Sequence, residues 1–265
     1  MSGRVRLLAI GDVVGSPGRR AVRELLPALR EKYVLDLVVV NAENAAGGSG
    51  LTPDICEELL SCGCHCLTTG DHVYRNRAVM SVINSESRLV RPANISSRAA
   101  GRGWTVIESD SGLKVAVINL LGRAFMGVAS NPFECIENVL EEIGDGVSLK
   151  IVDFHAEATA EKIAMSIFLD GKVAALWGTH THVQTADEQV RPGGSGYITD
   201  LGMTGGHRGV IGRCAGEVIE HLRSDMPTRW EIDNQDVRLS GAVFTLDAGS
   251  GSCSAVERVQ VPLDS

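Results

Sequence analysis

Five apolar runs of strand length each end in a polar side chain, and helical patterns separate most of them. That alternation restricts the chain to an α/β fold with parallel strands. Arg4–Ile10 leads into Gly11-Asp12. Leu35–Val40, apolar on both alternations except at Asp36, reads as a strand buried on both faces and ends in Asn41-Ala-Glu43-Asn44. Cys64–Thr69 ends in Gly70-Asp71-His72, Lys150–Phe154 at His155, and Val173–Trp177 in Gly178-Thr-His180-Thr-His182. Between them Val22, Leu25, Leu26 and Leu29 recur at helical spacing. Thr52-Pro53 starts a second helix, with Thr as cap and Pro at the first helical position. Further helices are predicted over Ala78–Ser85, Pro132–Ile143, Glu157–Leu169 and Ala215–Arg223. Strands are predicted over Trp104–Glu108, Lys114–Leu120, Leu239–Leu246 and Ala255–Val261. No repeat, low-complexity stretch or linker interrupts this order, so residues 1–265 read as one domain, long enough for a sizeable core.

The polar ends matter because ligands of open α/β sheets bind beyond the carboxyl ends of the strands. Side by side, these strands bring Asp12, Glu43, Asn44, Asp71, His72, His155, His180 and His182 to one sheet edge. Singly, each has a plainer reading. Asp12 can start a turn, and His155 can be a half-buried histidine with its hydrogen bonds satisfied. Glu43 is a poor turn former with no cationic neighbour in sequence. His180 and His182, two apart on extended chain, are expected to project the same way. Together the donors exceed the needs of one ion and suit two ions sharing a bridging carboxylate. Oxygen-plus-imidazole ligation fits iron, manganese or zinc without choosing among them.

Other functions are disfavoured. The formal charge is −8, and no dense run of Lys and Arg appears, so long nucleic acid is not an expected partner. A small anionic substrate stays open, since bound cations invert a local field. No stretch approaches the roughly 20 apolar residues of a membrane span, and Met1-Ser-Gly-Arg before a short apolar run does not read as a signal peptide. A cytoplasmic location without membrane association is expected, and the seven cysteines read as free thiols. Cys62-Gly-Cys-His-Cys66 invites a zinc site. It enters an apolar strand, where Cys acts as a small hydrophobe, and no second Cys/His group stands at zinc-finger spacing. His65 falls with it, and His207 and His221 are expected at the surface.

Five motifs in order are more specific. Gly11-Asp-Val-Val-Gly-Ser-Pro-Gly-Arg19, Asn41-Ala-Glu-Asn-Ala-Ala-Gly-Gly48, Asp153-Phe-His-Ala-Glu-Ala-Thr-Ala-Glu-Lys162, Gly178-Thr-His-Thr-His-Val-Gln-Thr-Ala-Asp187 and Tyr197-Ile-Thr-Asp-Leu-Gly-Met-Thr-Gly205 resemble the bacterial YmdB-like metallophosphoesterases, a branch of the calcineurin-like superfamily. The resemblance spans about Arg4 to Gly212. It implies a four-layer α-β-β-α sandwich and a dinuclear site of divalent or trivalent iron, manganese or zinc. It also implies phosphodiesterase action on small phosphodiesters, cyclic nucleotides in particular, by attack of a hydroxide bridging the metals. By that pattern Asp12, Glu43, Asn44 and His182 surround one metal. Glu43, Asp71, His155 and His180 surround the other, and His72 stands beside them as a proton donor or phosphate contact. The family's third motif is usually Gly-Asn-His; here it is Gly70-Asp71-His72. The extra charge keeps a second expectation in play, a weakly active or non-catalytic metal-bound regulator or scaffold. An amidohydrolase barrel fits less well, because its His-x-His pair usually ends the first strand. A homo-oligomer is compatible with everything above.

Overall fold

Alternation along the first strand, β1 (Arg4–Ile10), sets the layering. Val5, Leu7 and Ala9 point to one face and Leu8 and Ile10 to the other, and both sets are buried. A strand covered on both sides needs a layer on each side. The computed structural model describes residues 3–264. After β1 come β2 (Asp12–Val13), α1 (Gly15–Tyr33), β3 (Leu37–Asn41), α2 (Pro53–Ser61), β4 (Cys66–Thr68), β5 (Trp104–Glu108), β6 (Lys114–Leu121) and α3 (Pro132–Ile143). Then follow β7 (Leu149–His155), α4 (Thr159–Phe168), β8 (Ala175–Thr179), β9 (Gln189–Val190), β10 (Gly196–Ile198), β11 (Met203–Gly206), α5 (Ala215–Ser224), β12 (Val237–Asp247) and β13 (Ser252–Pro262).

One sheet has the order β2-β11-β12-β1-β3-β4, with β13 paired to β12; the other runs β5-β6-β7-β8-β10-β9. Strands β1, β3 and β4 are parallel, as are β6, β7, β8 and β10. Three apolar cores result. Val5, Leu7, Leu37, Val39, Val117, Ile151, Trp177 and Phe244 pack between the sheets. Leu8, Ile10, Val38 and Val40 pack under Val22, Leu26 and Leu29 of α1 and Leu59 of α2. Ile118, Val152 and Phe154 pack under Ile136 of α3 and Met165 of α4. The layers are therefore α-β-β-α, as the resemblance implied.

The expected helix over Ala78–Ser85 is absent. A 3₁₀ turn covers Arg77–Ser81, capped by Asn76 Oδ1 accepting from Ala78 N (3.0 Å), and turns follow. Val79, Val82 and Ile83 are β-branched and stiff in an α-helix, and Val79 and Ile83 reach the core from the 3₁₀ turn and the turns after it. The helix expected from Thr52-Pro53 is present, with Thr52 Oγ1 accepting from Ile55 N (3.3 Å).

At their carboxyl ends the two sheets meet through a polar seam. Asn41 of β3 donates to Asp153 Oδ2 of β7 (3.2 Å), and the Thr68 hydroxyl of β4 also donates to that carboxylate. Further along, Lys162 Nζ of α4 donates to Asp200 Oδ2 (2.6 Å), both side chains being almost fully buried. Lys162→Met is expected to leave the Asp200 carboxylate buried without its cation and to cost about 3–5 kcal/mol in urea unfolding. A loss under about 1 kcal/mol would mean that the hydrogen bonds from Thr181 and Gly202 to Asp200 suffice alone.

Candidate metal centre

The strand ends and loops of both sheets at this seam bring all eight candidate side chains together. From the first sheet come Asp12, on β2, and Glu43, Asn44, Asp71 and His72, on loops; from the second come His155, closing β7, and His180 and His182, on the loop after β8. Glu43, Asp71, His155 and His180 each offer a donor atom within 4.8 Å of the others. His155 Nε2 lies 3.1 Å from Glu43 Oε1, 3.2 Å from Asp71 Oδ1 and 3.0 Å from His180 Nδ1. Beside this group, His182 Nε2 is 3.8 Å from Asp12 Oδ1 and 3.2 Å from Asn44 Nδ2. The Asn44 amide turns its nitrogen to Glu43 and His182 and its oxygen to His72 Nδ1 (2.8 Å). Ligation through that oxygen needs the amide turned over.

Outer contacts set which nitrogen each imidazole presents. Thr179 Oγ1 donates to Asp153 Oδ1 (2.7 Å), so it accepts from His155 Nδ1 (3.0 Å) and leaves Nε2 facing the cluster. His182 Nδ1 donates to the Ile211 carbonyl (3.0 Å), again freeing Nε2. His180 Nε2 faces Glu157 (3.2 Å), which leaves Nδ1 inward. Such partners fix the tautomer and orientation of ligating histidines. Asn41, Thr68, Asp153, Thr179 and Glu157 were not singled out from sequence. The available signal was a polar residue inside or closing an apolar strand, as at Asp153 and Asn41.

The His180-Thr-His182 segment is not the extended chain expected. His180 has φ 99° and His182 φ 64°, both in the left-handed region that non-glycine residues avoid. The backbone is held there by Asp12 Oδ2 accepting from His180 N (3.0 Å) and Asp200 Oδ2 accepting from Thr181 N (3.3 Å). The rings converge nonetheless. At the third motif, a Cβ at Gly70 would overlap the His155 ring and the Glu43 carboxylate.

The electrostatics suit cations. Asp12 and Glu43 are fully buried, and among the described residues the charged partners of Asp12, Glu43 and Asp71 are histidines, not Lys or Arg. Asp12 Oδ1 is buried with no hydrogen-bond partner. Burial pushes the Asp12 carboxyl up to about 6, against the pull of His182 and His155. At His155 burial is overcome by the charges and hydrogen bonds of Glu43 and Asp71, which raise it well above the usual imidazole range. Burial and the charge of His155 push His180 down to about 4. One proton thus sits on His155 among the carboxylates, where a cation would replace it. The orphaned oxygen and the oxygen-plus-imidazole donors fit divalent transition metals. Above the cluster, a cavity of about 310 Å³ opens on Glu43, Asn44, His72, His180 and His182.

The other polar candidates lie elsewhere. His65 accepts from Val38 N (3.1 Å) and pairs with Asp110 (3.1 Å). All seven cysteines are free, and burial pushes the Cys64 thiol up to about 12, in keeping with small buried hydrophobes. His207 and His221, expected at the surface, are half-buried, with Nδ1 of each bonded to the Gly205 and Met226 carbonyls.

The model of the YmdB-like protein family matches residues 8–259. The chain is similar to a 2',3'-cyclic-nucleotide 2'-phosphodiesterase of Bacillus subtilis (strain 168), 39% identical over 257 residues, 97% of each chain. Its structure is similar to a novel phosphatase from Mycoplasma pneumoniae, with TM-score 0.92, 33% identity and 99% and 95% of the two chains covered. It is likewise similar to a hypothetical protein from Thermus thermophilus, with TM-score 0.91, 33% identity and 97% and 99% covered.

Because a cation and the His155 proton compete for the same donors, Mn²⁺ or Zn²⁺ uptake is expected to release protons. The apparent affinity should rise with pH from about 6, where Asp12 loses its proton, and go on rising above the usual imidazole range, where His155 loses its own. Calorimetric titration in buffers of different ionisation enthalpy measures this. Uptake with no proton release and a pH-independent affinity would contradict it.

Proposed function

The chain belongs to the YmdB-like family, and on that premise we propose that it hydrolyses small cyclic phosphodiesters, 2′,3′-cyclic nucleotides foremost, at this cluster. The observation carrying the reading is two fully buried carboxylates, Asp12 and Glu43, facing imidazoles, with Glu43, His72, His180 and His182 lining a cavity. Phosphoester hydrolysis is the activity named for the Bacillus and Mycoplasma relatives, and the cyclic nucleotide comes from the Bacillus one. We assign two cations of iron, manganese or zinc: one to Glu43, Asp71, His155 and His180, the other to Asp12, Asn44 and His182, with Glu43 shared. A cytoplasmic location accords with the unpaired cysteines.

Bound cations supply charge stabilisation for the phosphate oxygens and lower the pKa of water at the site. The protein's own groups do the rest. Thr179, Glu157 and the Ile211 carbonyl hold the three imidazoles in register. His72, 28% exposed, lines the cavity, with Nδ1 on Asn44 and Nε2 3.5 Å from Asp71. In hydrolysis the P–O2′ bond breaks, water oxygen joins phosphorus, and the leaving alkoxide needs a proton. His72 Nε2 is placed to give it.

Turnover of 2′,3′-cyclic AMP by the metal-loaded protein tests the reading, and no hydrolysis under saturating Mn²⁺ would remove it. His72→Ala is expected to slow that turnover by roughly 10²–10⁴-fold with metal content intact, and to slow bis(p-nitrophenyl) phosphate less, because nitrophenolate leaves without a proton. Loss of metal in the variant would make His72 a ligand instead.

Asp71 decides between an enzyme and a scaffold. Its Oδ1 points into the cluster rather than back to its own loop. Its carboxyl is lowered: burial opposes this, and the hydrogen bond and charge of His155 overcome it. A carboxylate where the family's motif usually has an amide weakens the Lewis acidity of nearby cations and repels an anionic substrate. Asp71→Asn is therefore expected to raise phosphodiester turnover near neutral pH at saturating metal. A slower Asn variant, in a full pH–rate comparison, would show that the carboxylate is an adapted part of the site.

A further inference from the structure

The cavity over the cluster has a second wall, joined to the proposed metal ligands where the Ile211 carbonyl accepts from His182 Nδ1. It comes from residues 209–233, which fold back on themselves. Gly209 N donates to Asp233 Oδ2 (2.7 Å), Arg213 bridges Ile232 antiparallel, and Cys214 N donates to the Glu231 carbonyl (2.9 Å). The return places Arg213 and Trp230 beside each other on the cavity. The wall is keyed to the loops that carry Asp12 and Glu43. A Cβ at Gly15 (φ 61°) would come 3.1 Å from Ile232, and one at Gly48 (φ 81°) would come 2.5 Å from Arg213 Nη2 and 2.6 Å from Ile232. Those glycines at positive φ leave the room that Arg213 and Ile232 fill.

Both side chains keep binding capacity in hand. Arg213 donates to the Gly47 carbonyl (3.3 Å) and the Gly48 carbonyl (2.5 Å) through its two terminal nitrogens. Guanidinium has five N–H donors, so others remain. Among the described residues Arg213 has no carboxylate in ion-pair range, and burial is the one influence lowering its pKa. Trp230 is held by its edges. Its Nε1 donates to Thr228 Oγ1 (2.9 Å), and its ring meets His221 edge-on at 5.6 Å and 68°. With the indole N–H satisfied and the side chain 42% exposed, the free part of Trp230 is apolar ring.

We propose that Arg213 and Trp230 form a nucleotide-recognition wall, Arg213 taking a phosphate oxygen and Trp230 stacking the nucleobase. This rests on the phosphodiesterase reading and deepens it. An anionic group at the cluster meets a half-buried cation without a carboxylate partner, while a base attached to it meets a fixed aromatic surface. Stacking is tolerant of base identity because every base has a π-face, so adenine and uracil nucleotides should both be accepted.

Calorimetry on the metal-loaded full chain tests this with two probes, adenosine 3′-phosphate and glycerol 2-phosphate. Trp230→Ala is expected to weaken the nucleotide by roughly 10–100-fold while changing glycerol phosphate by less than about twofold, and Trp230→Phe should recover most of the loss. Arg213→Gln should weaken both probes alike, by about tenfold or more. Equal effects of Trp230→Ala on both probes, no effect on either, or no binding of either probe by the wild type would overturn the wall. Unchanged nucleotide binding together with loss of self-association in Trp230→Ala would make the ring an interface residue instead, and would also overturn it. The two readings fail separately. Trp230-dependent nucleotide binding without turnover of 2′,3′-cyclic AMP sinks only the phosphodiesterase. Turnover unaffected by Trp230→Ala and Arg213→Gln sinks only the wall.

Discussion

Asp12 and Glu43 are buried carboxylates in a site whose charged partners are imidazoles, and much of the surrounding architecture answers that cost. A buried anion is tolerated when hydrogen bonds and opposite charge surround it. Here backbone amides supply part of that: His180 N reaches Asp12 Oδ2, and His72 N reaches Glu43 Oε2 (3.0 Å). Bringing those amides inward forces the chain into tight conformations, which accounts for His180 and His182 at positive φ and for a glycine at position 70. The rest of the compensation falls to His155 in its protonated form, or to cations. Because cations bind the folded arrangement and not the unfolded chain, their binding also stabilises the fold.

Two sheets, rather than one, are needed to assemble this charge. The first contributes the carboxylates and the amide, the second three of the imidazoles. They face each other where the apolar core between the sheets ends, below Trp177 and Phe244, whose rings lie 5.7 Å apart. The seam of Asn41, Thr68, Asp153 and Thr179 closes that core with polar groups that satisfy one another. Asp153 has its carboxyl raised by burial, though three side-chain donors hold it. It acts on His155 through the Thr179 hydroxyl and through its own charge. Small changes in how the sheets pack therefore reach the imidazoles directly.

What was legible in the sequence follows from this layout. Strand ends advertise themselves, since an apolar run that stops on Asp, Glu or His is visible within ten residues. The eight clustered side chains are legible that way, although β2, the two-residue strand that carries Asp12, is not. What depends on contacts distant in sequence was not. Asn41 and Asp153 are 112 residues apart, and nothing local marks either as a partner of the other. The turn at 77–81 was misread because spacing suggests a helix where β-branched side chains make a poor one. The extended reading of His180-Thr-His182 failed for a different reason: the pull of Asp12 and Asp200 on the backbone overrides local preference.

The segment after Gly205 has no polar strand end to mark it as part of the site, yet it completes the cavity. Its placement follows from steric room left elsewhere. The close approach of Gly11 to the Gly202 carbonyl brings β11 beside β2, in register from Met203 opposite Asp12. From there the chain emerges at the rim of the cluster, and Gly15 and Gly48 leave space for Ile232 and Arg213. Glycines in the first two motifs thus serve two ends at once. They let the carboxylate loops turn, and they seat the return that walls the site. Acidic loops alone would hold cations, but would leave a substrate's non-phosphate portion in solvent. On the proposed wall, a cation and an aromatic ring give that portion somewhere to bind, so selection among phosphodiesters can change at Arg213 and Trp230 while the charge balance around Asp12 and Glu43 stays the same.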